Sequence, residues 1–275
     1  MSSAVGCTHL SLEGPTGPQG ATRPPLVLVH GVGLDLHMWD HVVDALAVHR
    51  EVARYDLLGH GRSDDPPGPR SIDDFVEQCL DVLTLVAAGD PEGRSPHLAG
   101  LSLGGTVVLA VGARHPNAVG RLVAMNAVFD RSADDLEGPR SRLALTAARG
   151  MGPVADLAID RWFTTDWRAA HPERAEAVDE RIRSTALDGY LKAYRVFVDG
   201  DPEMPAAAAR ITSPTLGLTG ELDTGSTPAM SRAIASAVAD GRSRVLSGLG
   251  HLVPVESPDV CSDAMLEFLD PPDRP

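Results

Sequence analysis

The sequence has no stretch able to cross a bilayer. Each apolar run is broken by Arg, Asp, Gly or Pro, well short of the roughly 20 residues a spanning helix needs. Residues 1–6 carry neither a charged n-region nor an apolar h-region, so no secretory leader is expected. Cysteine is scarce. Cys7, Cys79 and Cys261 are far apart, which argues against a disulfide framework and reads as reduced thiols in core or surface places. Basic residues are outnumbered, 24 Lys and Arg against 38 Asp and Glu. The resulting net charge of −14 argues against a nucleic-acid partner, because nothing is available to neutralise phosphates. A small anionic ligand stays open, since a local pocket can differ from the whole surface. There is no H-E-x-x-H metal motif and no glycine-rich cofactor loop, so neither metal nor cofactor is expected. Together these absences place the expected protein in the cytoplasm, away from membranes.

What is present is an ordinary globular balance, 43% hydrophobic and 23% charged, over 275 residues. That length buries a large core, as one α/β domain or two smaller ones. Short apolar runs at 26–29, 51–55, 97–101, 121–125, 215–218 and 243–246 read as buried strands that end in turns. Residues 8–12 alternate weakly before a Gly/Pro-rich stretch at 14–25 and read as an edge strand with its loop. Between the strands, 71–88 has apolar residues at helical spacing, and Ser71 with Asp74 predicts a capping box. Residues 104–115 and 258–269 are further helices. Alternating strands and helices imply an α/β fold, a mostly parallel twisted sheet with helices on both faces.

The alternation stops at 131–209, which shows helical patterns, no convincing strand and most of the aromatics. A single crossover rarely needs so many residues. The stretch is therefore expected to be an inserted helical cap, with 1–130 and 210–275 forming the core. The Pro-rich end from Pro271 reads as a frayed tail.

Gly100, Leu101, Ser102, Leu103 and Gly104 form G-x-S-x-G after an apolar strand and before an apolar helix, the context of a nucleophile elbow. A serine hydroxyl is a weak nucleophile at neutral pH and needs a base. His251 lies in a loop between the 243–246 strand and the last helix, and is the candidate base. An acid between them in sequence would orient the imidazole and stabilise its charged form. Asp223, just after the 215–218 strand, is favoured; Asp130, after the 121–125 strand, is its rival. Glu221 reads as a turn or surface charge. The oxyanion needs two fixed N–H donors, expected from Leu103 and from Val32 in the loop His30, Gly31, Val32, Gly33.

At these residues the chain resembles the α/β-hydrolase superfamily over nearly its whole length. Tyr55 and Asp56 followed by Gly59, His60, Gly61, Arg62 and Ser63 are similar to the superfamily's loop after its second parallel strand, which implies a structural role for His60. Gly248 to His251 with Glu256 and Pro258 resemble the loop that carries the catalytic histidine. Finer resemblance is to the 3-oxoadipate enol-lactonase group, carried by Asp35, Leu36, His37, Met38 and Trp39, by Arg161, Trp162, Phe163 and Thr164, and by Asp188, Gly189 and Tyr190. That resemblance implies a small-molecule ester or lactone substrate bearing a carboxylate, with Trp162 touching it. The carboxylate would need a cation. Arg161, Lys192 and Arg195 are the candidates, arginine being favoured for its paired donors. A carboxylesterase, a C–C bond hydrolase of aromatic degradation, and a slow-turnover ligand sensor of the same fold keep the same Ser, Asp and His. Haloalkane dehalogenases and epoxide hydrolases fit less well, since both need a carboxylate where Ser102 stands.

Overall fold

Leu26, Val27, Leu28 and Val29 are apolar at four successive positions, and all four are fully buried. A strand buries both faces only where a sheet is covered on two sides. In the computed structural model, which describes residues 7–17, 20–200 and 202–271, that is where they lie. Residues 1–6, read for a leader, and the tail beyond Pro271 fall outside the described residues.

The strands are β1 (Leu10–Glu13), β2 (Leu26–Val29), β3 (Val52–Tyr55), β4 (His97–Leu101), β5 (Leu122–Met125), β6 (Thr215–Gly220) and β7 (Gly241–Leu246). They form one sheet in the order β1-β3-β2-β4-β5-β6-β7. Only β1 runs antiparallel, at the edge beside β3. The other pairs are parallel. Their register aligns the carboxyl ends: Val29 is opposite Gly100, Leu101 opposite Met125, and Met125 opposite Leu218. Loops leaving these strands therefore meet along one rim, where open α/β sheets place their ligands.

Helices among the described residues are α1 (Val43–Leu46), α2 (Ile72–Gly89), α3 (Leu103–Arg114), α4 (Glu137–Arg149), α5 (Met151–Trp162), α6 (Thr165–Ala170), α7 (Pro172–Ser184), α8 (Leu187–Asp199), α9 (Met204–Ala207), α10 (Pro228–Ala237), α11 (Val253–Glu256) and α12 (Pro258–Leu269). Helix α2 begins at the expected capping box, Ser71 and Asp74 each serving the other's N–H. Helix α3 packs on β4 and β5, and α10 on β6 and β7. Helix α10 is an addition to the helices expected from sequence: Thr227 caps it by accepting from the Met230 N–H, and Pro228 stands in its first turn. Strand β7 starts two residues earlier than read. It is a sheet edge carrying exposed Arg242 and half-buried Arg244, so its apolar signal is weak where it begins.

Helices α4 to α9 fill the chain between β5 and β6, with no strand among the described residues there. Gly189 of α8 crosses Gly59 backbone to backbone, and a Cβ at either would strike the other's main chain. Nearby, Lys192 pairs with Asp65 at 2.8 Å and Arg181 with Asp35 at 2.9 Å. Thr185 Oγ1 donates to the Gly33 carbonyl at 3.2 Å. The helical insertion is thus fastened to the loops after β2 and β3.

Candidate active site

The elbow is shaped by what its flanking residues lack. A Cβ at Gly100 would run into the Gly104 carbonyl, and one at Gly104 into the Val29 carbonyl. With both absent, the chain turns from β4 into α3 in one residue, and Ser102 takes the strained conformation φ 58°, ψ −116°. Its N–H still donates to the Met125 carbonyl at 2.9 Å, so the turn stays sewn to β5. Ser102 is buried at the amino end of α3, where the positive end of the helix favours developing negative charge.

Beside it, Asp223 and His251 meet. Asp223 Oδ2 lies 2.6 Å from His251 Nδ1, both side chains buried. The other oxygen, Oδ1, accepts the N–H groups of Gly225 and Ser226 at 2.9 and 3.0 Å. Burial pushes the Asp223 carboxyl up, but the His251 charge and hydrogen bond, with donors from Ser226 and Asn126, outweigh it and hold it at about 2. The group is an anion at neutral pH and can only accept. Nδ1 is therefore the nitrogen of His251 that donates to Asp223, which leaves Nε2 able to accept a proton.

Ser102 and His251 line one cavity of about 350 Å³, together with Val32, Trp162, Arg142 and Arg161. Trp162 stacks on His251 with ring centroids 5.5 Å apart, and its carbonyl accepts the His251 N–H at 3.1 Å. It is at once a packed aromatic and a wall of the cavity. Leu103 opens α3, so its N–H has no acceptor within the helix. Gly31 comes within contact of Ser102, and Gly33, with φ +75°, lies against the Tyr190 ring. His60 Nε2 accepts the Gly33 N–H at 3.0 Å, and His30 Nε2 accepts that of Leu57 at 2.8 Å. Burial lowers both imidazoles, His60 to about 3. These two histidines lock the loop around Val32 in its place.

The structure separates alternatives that the sequence leaves open. Asp130 is exposed, not paired with His251; the polar residue that reaches the site from β5 is Asn126. Lys192 is taken by Asp65, with Asp188 at 3.6 Å, and so is not a free cation for substrate. Arg195 is exposed and does not line the cavity. Arg161 does line it, and among the described residues has no ion pair or hydrogen bond; its neighbour Asp160 pairs with Arg168 instead. Burial lowers Arg161, and the nearby Arg142 lowers it further. Arg142 was not singled out from sequence; its Nε donates to the Tyr194 hydroxyl at 2.8 Å, and it has no acidic partner among the described residues. Asn126 was missed too, although it follows β5 as Ser102 follows β4. Glu221 is the turn charge expected, accepting from Ser247 and the Gly248 N–H. Cys7, Cys79 and Cys261 are free thiols. Among the described residues no group of His, Cys, Asp or Glu could hold a metal ion, and no helix is long and apolar enough to cross a membrane.

A sequence model of the α/β hydrolase family matches residues 26–264. The chain belongs to that family. This hydrolase is 28% identical over 250 residues to (E)-2-((N-methylformamido)methylene)succinate hydrolase of Acinetobacter baylyi, covering 90% of each chain. It is 25% identical over 247 residues to 3-oxoadipate enol-lactonase 2 of the same organism, covering 89% of this chain and 88% of that one. The crystal structure of the enol-lactonase from Burkholderia xenovorans LB400 superposes with a TM-score of 0.82 at 29% identity, over 95% of this chain and 96% of that one.

Proposed function

We propose that this hydrolase cleaves an ester or lactone that carries a carboxylate, through an acyl-enzyme on Ser102. The observation that carries the reading is the disposition of His251: Nδ1 is held by Asp223 at 2.6 Å while the ring lines the cavity it shares with Ser102. His251 Nε2 takes the serine proton as Oγ attacks the carbonyl carbon. The N–H groups of Val32 and Leu103 receive the oxyanion. Collapse expels an alcohol or enolate, which His251 protonates, and water then enters by the same base to release the acid. In a lactone the leaving oxygen stays tethered, so water must arrive before the ring recloses. In this reading 1–130 and 210–275 form the catalytic core and 131–209 a cap that supplies the substrate side.

The substrate's carboxylate is inferred from Arg161 and Arg142. Both are half-buried on the wall of the cavity that Ser102 lines, and neither has an acidic partner among the described residues; with Arg131, Asp134 and Asp135 also on that wall, three guanidiniums stand against two carboxylates, in a chain of net charge −14. A planar carboxylate matches a guanidinium by two parallel hydrogen bonds. The names of the A. baylyi relatives, a succinate-derivative hydrolase and an oxoadipate enol-lactonase, support the same chemistry.

The test is a hydrolysis screen over anionic lactones, aryl esters and C–C cleavage substrates, with Ser102→Ala as control. Ser102→Ala should fold and lose at least about 10³-fold in kcat. A fluorophosphonate should label wild type once, at Ser102. Wild-type-like turnover in folded Ser102→Ala would sink the reading. Turnover confined to neutral aryl esters or to C–C substrates would keep the nucleophile and discard the substrate.

A further inference from the structure

Asn126 stands where the chain leaves β5. It is fully buried, and its backbone is left-handed at φ 45°, a conformation Asn tolerates better than most residues with a Cβ. Its Nδ2 lies 2.7 Å from Asp223 Oδ2, 3.3 Å from the Gly250 carbonyl oxygen and 3.3 Å from Thr219 Oγ1. A carboxylate and a carbonyl only accept, so the amide nitrogen, not the amide oxygen, faces them. The oxygen it grips on Asp223 is the one that binds His251 Nδ1.

We propose that Asn126 is a positioning residue for acyl transfer: one amide clamps both the Asp223 oxygen that orients His251 and the carbonyl just before His251 in the chain. The inference rests on the Ser102, His251 and Asp223 roles proposed above. Gly250 is then held at both ends, its carbonyl by Asn126 and its N–H by the two oxygens of Glu256 at 3.1 and 2.8 Å. The residue type matters as much as the place. An Asp at 126 would have the same shape but would set a second carboxylate against Asp223, and two such groups resist ionising together. The charged and titratable groups around the amide are Asp223, His251 and, beyond Gly250, Glu256.

Two variants separate the amide from the fold. Asn126→Gly removes the amide and suits the left-handed backbone, so folding should survive. Asn126→Asp keeps the shape and replaces the donor with an acceptor. Asn126→Gly should lower kcat by up to about a hundredfold, the scale on which small misplacements act, with KM nearly unchanged. Asn126→Asp should lose more, and the acid limb of its kcat/KM profile should move to higher pH, because the added negative charge retains a proton in the site. The downfield His251 Nδ1–H resonance in the folded protein gives a readout free of turnover, and should move in both variants. Wild-type kcat in Asn126→Gly, or an unmoved resonance, overturns the proposal. If wild type turns over no ester, the proposed reaction fails while the resonance still decides the role of Asn126.

Discussion

Two regions meet at the cavity, and they are built on different principles. The sheet rim presents Ser102, Asp223 and His251 from turns that backbone geometry holds tightly: glycines without room for a Cβ, a strained serine, a carboxylate gripped by N–H groups. The helical insertion presents Arg142, Arg161 and Trp162 from helix faces, where a side chain can be exchanged without rebuilding the main chain. Under the function proposed above, the contrast separates reaction from selection: the rim would host one chemistry for many substrates, and the insertion would decide which substrate arrives.

The sharpest way to break that division is at the acid. Asp223→Asn should cost on the order of 10⁴ in kcat toward every substrate, by loss of the imidazole's correct tautomer. Asp130→Asn, on the exposed loop after β5, should cost little. Steady-state kinetics on an anionic and a neutral ester measure both, and a loss that depends on substrate charge would show the rim taking part in selection.

A smaller effect tests the insertion. Arg161→Ala should weaken kcat/KM for an anionic lactone by about 1.5–3 kcal/mol more than for its neutral methyl ester, roughly tenfold to a hundredfold. Arg142→Ala should act in the same direction, while Arg195→Ala, exposed and outside the cavity, should leave the ratio alone. Equal losses on both substrates would mean that the arginines serve the insertion's packing and that the pocket is tuned for neutral esters.

A further effect is on stability, and it is read on two buried groups of the rim. The folded value of His60, about 3, lies below its ordinary 6.5, so the fold favours the neutral ring. That contribution is complete above 6.5 and is lost as pH falls toward 3. Glu256 is opposite in sign. Burial raises it from 4.5 to about 7, against the pull of the Gly250 and Leu252 N–H groups, so its contribution is present below 4.5 and lost as pH rises through 7. Urea unfolding at pH 4.5, 6 and 8 should show His60→Gln losing less stability than wild type toward acid. Glu256→Gln should gain on wild type toward pH 8. Wild-type pH dependence in both variants would remove the buried rim as its source.

The same division governs what could be read in the sequence. Leu26–Val29 and the Ser71–Asp74 cap are local patterns, and both elements form where they were expected. The elbow is local as well, because strand, glycines and helix adjoin in sequence. Asn126 and Asp223 lie 97 positions apart, and their contact exists only once β5 and β6 pair. Arg142 likewise sits in a helix whose pattern does not distinguish a cavity face from a solvent face. Among three plausible cations, Arg161, Lys192 and Arg195, only the fold could say which two were already occupied or turned outward.

Where Gly189 crosses Gly59, the distance between insertion and sheet is fixed by a missing atom. A methyl group at either position would act as a wedge. Helix α8 would have to rise, carrying Tyr190 off Gly33 and so slackening the strip of chain beside Val32, which lines the cavity with Ser102. Side chains on the faces of the insertion can be exchanged without moving it, but this crossing is a fulcrum. A change there, remote in sequence from Ser102, would be transmitted by leverage to the cavity that Ser102 lines.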